Sequence, residues 1–494
     1  MSSRPAKPTP PSARRSSGSK PQIFLRRAGW QETYNDLVFI GLILAIAWVP
    51  LPVGSNLAIF WVLNAVIFGA LLILFELGVL ANGGRRPVAM RRLWLPMVLF
   101  CGLLAWIVVQ LATWVPAGWE SSFWALARDV LTQMPDAPSV DGRISADPDS
   151  GVLGLIRLLT CAVAFYLALQ LCRDRRRADL FALMLVLIAS GYAVYGIVQF
   201  LAFPTTLLWI EKTAYLGSVT STFVNRNSYA TYAGIGVVMS FGLLAELAQR
   251  SSFGTEVPWT YRLGALVDAL VRRGMPIFVA ILAIGIALLW TGSRAGIVAS
   301  FAGAFVFVIL AATLGKRRLI ALVLSGLAIL AIAGGLVAYG ELFVQRLNNE
   351  GGSETRWYVV RTTFQAALDV PWTGFGYGSF DRVYAVYRDA GLDFILHWDK
   401  AHNTYVELLF ELGIPAFTAF IVLGGSVLIQ LIRNLYGREM PPMLSLSALA
   451  ASAVVFVHAF VDFSLQIQAV AITYWAILGA GLAQSWSRRL DVSL

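Results

Sequence analysis

Apolar residues run along this chain in long blocks separated by shorter polar segments that are rich in arginine. Each block is long enough to cross a hydrocarbon core of about 30 Å as an α-helix. Twelve such blocks predict twelve spans: Asp36–Val53, Leu57–Leu80, Leu93–Pro116, Val152–Cys172, Leu180–Phe203, Thr222–Ala248, Met275–Thr291, Arg294–Leu314, Leu319–Gly340, Asn403–Ile432, Met443–Phe463 and Ile467–Trp486. The period-two alternation in ten-residue segments that marks a membrane β-barrel is absent. The pattern therefore predicts an all-α polytopic membrane protein with about 12 transmembrane helices.

Composition agrees. With 58% hydrophobic and 13% charged residues and a positive mean hydropathy, the chain does not read as a soluble domain. Arg85, Arg86, Arg91 and Arg92 lie between spans two and three, and Arg173, Arg175, Arg176 and Arg177 follow span four. Lys316, Arg317 and Arg318 follow span eight, and Arg488 and Arg489 follow span twelve. These alternate loops, with the basic N-terminal tail, are expected in the cytoplasm, which leaves both termini cytoplasmic. The net charge of +10 is then a topology signal plus attraction to anionic headgroups, and no nucleic-acid partner is needed to explain it. Met1–Lys20 is rich in Pro, Ser, Lys and Arg, and residues 1–35 read as a disordered cytoplasmic tail rather than a cleavable signal. Cys101, Cys161 and Cys172 fall within or at the ends of spans, where they suit packing rather than a disulfide or zinc framework.

The expected organisation is spans one to nine over residues 36–340, a large external loop over 341–402, spans ten to twelve over 403–486 and a short cytoplasmic tail over 487–494. A second external loop covers 117–151. The larger loop holds Arg346, Arg356, Arg361, Arg382, Arg388 and Lys400, although positive charge is normally depleted on that side. Trp357, Val360, Phe364 and Leu368 stand at helical spacing before Pro371, so the loop is expected to be partly helical. Gly374-Phe375-Gly376-Tyr377-Gly378 reads as a glycine-punctuated turn. The loop is either a folded cap whose arginines pair with its acids or a lid that grips an anionic or sugar ligand.

Candidate chemistry gathers at one membrane face. Even-numbered spans descend from outside to inside, so Arg226 at the start of span six, Arg294 at the start of span eight and His402 at the start of span ten share the outer side. Helix N-termini favour anions, and two arginines there would suit a diphosphate. The same field disfavours imidazolium, which keeps His402 neutral, as a general base must be. The alternatives are interfacial snorkelling for Arg294, a capped turn for Arg226 and a satisfied interfacial histidine for His402. His458 and Asp462 lie four residues apart near the outer end of span eleven, where the carboxylate orients the ring or the two form a structural intramembrane pair. His397 reads as an ordinary loop histidine. Asp147-Pro148-Asp149 offers two carboxylates, too few for a hard cation, so no metal site is expected.

The chain resembles the bacterial O-antigen ligase and polymerase superfamily of polytopic membrane glycosyltransferases. The likeness rests on Thr222-Phe223-Val224-Asn225-Arg226-Asn227, on Thr291-Gly292-Ser293-Arg294-Ala295-Gly296, and on the loop from Arg356 through Gly374–Gly378 to His402-Asn403. His458-Ala459-Phe460-Val461-Asp462-Phe463 is similar to a version found in part of that superfamily. The resemblance implies a GT-C-like architecture in the bacterial inner membrane, with the large loop and the active site facing the periplasm. It implies an undecaprenyl-diphosphate-linked glycan donor, a lipid or glycan acceptor and a metal-independent inverting reaction without cofactors. His402 matches the base, Arg226 and Arg294 the diphosphate-binding arginines, and Arg356 a loop arginine of substrate-binding type. Asn403, Tyr377, His458 and Asp462 are further substrate-binding candidates, with Trp357, Tyr358 and Tyr384 as sugar-stacking aromatics. The expected function is O-antigen ligase-like transfer to a sugar hydroxyl of the lipid A core. Alternatives are a polysaccharide polymerase extending a lipid-linked repeat unit or, in another class, a lipid-linked sugar flippase. The flippase predicts charges deep in mid-span and duplicated halves, neither of which the sequence offers.

Overall fold

The computed structural model describes residues 29–134, 136, 139–250, 260–261, 264, 268, 270–314, 352–388, 397–436, 438 and 440–486. The ninth predicted span, most of the N-terminal tail, the C-terminal tail, Arg346, and Lys316, Arg317, Arg318, Arg488 and Arg489 lie outside those residues. A helix stands at every other predicted span. These are α1 (Trp30–Trp48), α2 (Ala58–Ala81), α3 (Trp94–Leu111), α5 (Pro148–Leu171), α6 (Arg175–Ala202), α7 (Arg226–Arg250), α8 (Met275–Trp290), α9 (Arg294–Leu314), α12 (Thr404–Leu435), α13 (Met443–Ala459) and α14 (Gln468–Ser485). The segments expected to be external add α4 (Ser122–Leu131), α10 (Gly352–Ala367) and α11 (Phe380–Tyr384). Among the described residues, strand is confined to a two-residue hairpin, Thr206–Leu207 against Ile210–Glu211. The protein is an all-α polytopic membrane protein. Among the described residues, seven helical segments, those containing α2, α3, α5, α6, α7, α9 and α12, are long and apolar enough to cross a bilayer. α8 and α13 are apolar but span only 16 and 17 residues, and the ninth predicted span lies outside the described residues, so the expected count of twelve is not confirmed.

The helices alternate in direction, and their contacts separate two ends. One end collects arginines. Arg86 pairs with Glu76, Arg176 and Arg177 with Asp36, Arg175 and Arg250 with Glu246, and Arg250 also with Asp179. Arg173 caps the last carbonyls of α14 through Ala483 and Trp486, favourable at the negative end of a helix dipole. At the opposite end, Thr222 Oγ1 donates to the carbonyl of Pro50 (2.6 Å), Ser221 Oγ to that of Tyr192 (2.7 Å) and Val219 N to that of Trp290 (3.0 Å). These bonds draw the outgoing ends of α1, α6 and α8 around the segment that leads into α7. The core lies in α7, α13 and α14, whose Ala, Gly and Ser residues are almost all buried and let the backbones approach closely.

A cap covers that second end, and its attachment follows from one proline. Pro415 interrupts α12, and Gly413 beside it turns to φ 72°. The missing N–H and the kink release carbonyls of the preceding turn. The glycine turn takes them: Phe375 N donates to Phe410 O and Gly376 N to Glu411 O, each at 3.0 Å, while Gln110 Nε2 on α3 reaches Glu411 O at 2.9 Å. Gly374 has φ 66°, and a Cβ there would stand 2.3 Å from Glu411 O. Gly374→Ala is expected to undock the turn and destabilise the protein by about 1–3 kcal/mol, measurable as a lower Tm. An unchanged Tm would show that the turn does not hold the cap.

The cap helix α10 forms where the spacing predicts it. Val359, Thr363, Ala366 and Ala367 are buried, whereas Trp357, Phe364 and Leu368 of the apolar stripe face outward. Small residues let α10 lie close against α12, and the bulky ones are left outside.

Candidate active site at the converging helix ends

α7 begins at Arg226, behind an Asn225 whose side-chain oxygen accepts from Asn227 N (2.7 Å). The Arg226 guanidinium lies 5.4 Å from the Tyr215 ring centroid, and its Nη1 donates to Ser218 Oγ at 3.4 Å. Tyr215 and Ser221 hold φ 56° and 52°, left-handed conformations that β-carbon residues adopt at a cost. Lys212, buried in the same loop, ties it with a 2.8 Å bond from Nζ to Ser218 O. Burial pushes its pKa below the usual lysine value.

α9 begins at Arg294. Gly292 supplies φ 61°, and Ser293 Oγ accepts from Gly296 N (3.2 Å). Two residues into α9, Gly296 packs so closely on α7 that a Cβ would sit 2.4 Å from the Ala230 methyl. Arg294 and Arg226 therefore start helices that cross within their first turns, on the same side of the bundle.

α12 begins two residues after His402. Asn403 caps it, its Oδ1 accepting from Tyr405 N (3.0 Å) and Val406 N (3.1 Å), while its Nδ2 donates to Phe460 O (2.9 Å). On the other side, Ala401 N donates to the buried Glu407 carboxylate at 2.8 Å. Held between these bonds, His402 takes φ 54°. Its ring stands edge-on between Trp398 (5.4 Å) and Phe463 (5.0 Å), and Nδ1 is buried with no hydrogen-bond partner among the described residues.

The turn after α13 joins the helix starts. Thr404 Oγ1 donates to Asp462 O (3.0 Å), and Asn227 Nδ2, next to Arg226, donates to Asp462 Oδ2 (2.6 Å). His458 Nδ1 meets Thr231 Oγ1 (2.6 Å) and Ser464 Oγ (3.0 Å), and Ser464 also donates to Asp462 Oδ1 (3.3 Å). His458 and Asp462 are thus linked through Ser464 instead of directly, because α13 ends at Ala459 before the carboxylate can fold back. Both are fully buried, and together they pin the first turns of α7 and α12.

Electrostatics place the remaining members. The charges of Arg356, Asp462, Arg226 and Asp399 all act on the Tyr215 hydroxyl, and those of Asp462, Arg356, Asp399 and Lys400 all act on His402. His402 has its pKa lowered, chiefly by burial, with Arg356 and Lys400 adding to the shift and Asp462 and Asp399 opposing it. The sign is that of a group held neutral: the imidazole stays a proton acceptor down to and below its ordinary pKa of 6.5. If it is the working base, turnover should stay level from neutrality to about pH 6.5 and fall only below that. A pH–rate profile checks this, and an acid limb starting well above pH 7 would contradict it. The same shift is a stability statement: the unfolded chain takes up the proton first, so stability falls as pH drops through 6.5 towards the lower folded value.

Residues 278–421 match the O-antigen ligase family model. The chain carries an O-antigen ligase domain. No curated protein matches the chain. The match points to an enzyme of the O-antigen ligase or polymerase type and is consistent with a bilayer setting and lipid-linked glycan substrates. The matched O-antigen ligase segment runs from α8 to the kinked α12 and includes Arg294, Arg356, Tyr377 and His402. Arg226, His458 and Asp462 lie outside it and join the ligase segment through the bonds just described.

Several candidates sit elsewhere. Tyr377 packs on Gly154 of α5 and donates its backbone N–H to Gln110 Oε1 (3.1 Å). Tyr384 is fully buried, stacked on Phe380 with centroids 4.9 Å apart, its hydroxyl 2.7 Å from Thr362 Oγ1. Tyr384 thus belongs to the core of the ligase cap and offers no sugar platform, whereas Trp357 remains exposed. Asp147 caps α5 through Ser150 and pairs with Arg382 at 2.9 Å, while Asp149 is exposed two residues further on. His397 pairs with Asp381 at 2.9 Å. Sequence reasoning passed over Lys212, Tyr215 and Glu407. A lysine in an external loop and a carboxylate inside a predicted span were signals available for two of them.

Proposed function

We propose that the protein transfers a glycan from undecaprenyl diphosphate to a sugar hydroxyl at the outer face of the bacterial inner membrane. The observation that carries this reading is the convergence of Arg226, Arg294 and a neutral His402 at adjoining helix starts beneath one cap. His402 takes the proton of the acceptor hydroxyl as that oxygen forms its bond to the anomeric carbon. The bond from that carbon to the diphosphate breaks, and the electron pair leaves with the phosphate oxygen. Arg226 and Arg294 balance the charge that grows there, and the helix N-termini add to the field. A displacement of this kind inverts the anomeric centre. The mechanism needs no metal, so turnover should be indifferent to chelators.

The acceptor we favour is the lipid A core, which makes the protein ligase-like; a polymerase differs only in offering a second lipid-linked unit. The test supplies purified protein with undecaprenyl-diphosphate glycan and each acceptor in turn. Glycan on the lipid A core supports the ligase, and a lengthened lipid-linked chain supports the polymerase. Transfer to neither, with both acceptors saturating, would overturn the reading.

A further inference from the structure

The transfer chemistry leaves the external segment 117–147 without a role, and its structure gives it one. α4 turns two apolar sides in different directions. Phe123 packs against Phe375 (6.4 Å) and Trp124 Nε1 donates to Ser145 O (3.0 Å), which fixes one side on the cap. Leu126 and Val130, four residues apart on α4, and Met134, three residues beyond its end, are 50–62% exposed. Arg128 is held off that stripe by its ion pair with Glu120.

The position of the stripe is set by the residues that lead into it. α3 is a membrane span ending at Leu111, and Trp106 lies more than a turn below that end. Trp119 returns to this level: its ring stands 6.1 Å from that of Trp106. α4 begins three residues later, so the chain cannot rise far from the outer boundary of the span before the stripe starts. Trp114 and Trp119 are themselves exposed, as tryptophans of a membrane interface are.

We propose that α4 is an interfacial helix that lays Leu126, Val130 and Met134 into the outer leaflet beside the end of α3. An amphipathic segment binds such a boundary by burying its apolar face between headgroups and acyl chains. The occupant of this face is phospholipid, since the span that positions it is already in the bilayer. The consequence is mechanical. Ser145 takes the Trp124 bond, and Ala146 N donates to Phe375 O (2.9 Å), so the helix ties the glycine turn of the cap to the membrane surface.

The test uses the full chain in phosphatidylcholine–phosphatidylglycerol vesicles. Cys101 is exposed and is replaced by serine, whereas Cys161 and Cys172 are buried and remain. Single cysteines at Leu126, Val130, Asp129 and Thr132 carry an environment-sensitive fluorophore, and lipid with a quencher near its headgroup is added. Labels at 126 and 130 are expected to emit to the blue and lose most of their fluorescence, while those at 129 and 132 stay aqueous and largely unquenched. Equal quenching at all four positions would overturn the proposal. So would blue-shifted but unquenched labels at 126 and 130 whose signal rises with protein density, which would mark a second copy of the chain as the occupant.

Discussion

His402→Ala is expected to lower turnover by about 10²–10⁴-fold, the range a positioned general base contributes, with little change in donor KM. In the proposed mechanism the imidazole meets the acceptor hydroxyl during the displacement and takes no part in holding the lipid-linked donor. The left-handed backbone at this position complicates alanine, since φ 54° is uncomfortable for it. His402→Asn is the better control, because asparagine tolerates that conformation and removes only the base. The two variants should be equally inactive, and His402→Asn should keep the wild-type Tm, as the Asn403 cap and the Glu407 bond to Ala401 are untouched. An active His402→Asn enzyme would move the base elsewhere.

Arg226→Ala and Arg294→Ala are expected to cost on the order of 10²–10³-fold each in kcat/KM, as for the loss of a single electrostatic stabiliser of a leaving group. Their signature differs from that of His402. Donor KM should rise as kcat falls, because in the proposed mechanism the guanidinium groups contact the diphosphate before and during bond breaking. Lysine at either position should restore part of the loss, since it supplies charge but not the bidentate geometry. The double variant should lose less than the product of the two singles, because the helix starts are packed together through Gly296 and Ala230. Strict multiplicativity would place the two arginines in separate sites.

The sequence made the helices legible because hydrophobic blocks of spanning length leave few alternatives. It also made the alternation of direction legible, from where the arginines cluster. Arg226 and Arg294 begin their helices, and His402 lies just before α12, because glycine, asparagine and serine punctuation marks helix starts locally. What the chain did not show was long-range pairing. That Asn227 would hold Asp462, or that Thr404 would bond the Asp462 carbonyl, depends on contacts between residues 235 and 58 positions apart. The buried face of α10 was not legible for a related reason: apolar spacing reports a stripe, but which side packs on α12 is set by Val359, Thr363, Ala366 and Ala367. The glycine turn was visible as a turn, while its attachment to carbonyls freed by Pro415 required the kink to be seen.

The most direct test of the transfer account counts product against leaving group. Purified protein receives undecaprenyl-diphosphate glycan and lipid A core, and both new glycosidic bonds and free undecaprenyl diphosphate are quantified. One diphosphate released for each bond formed, with both lost together in His402→Asn, is the predicted result. Full turnover in His402→Asn, or diphosphate release without glycan on the acceptor, would contradict it.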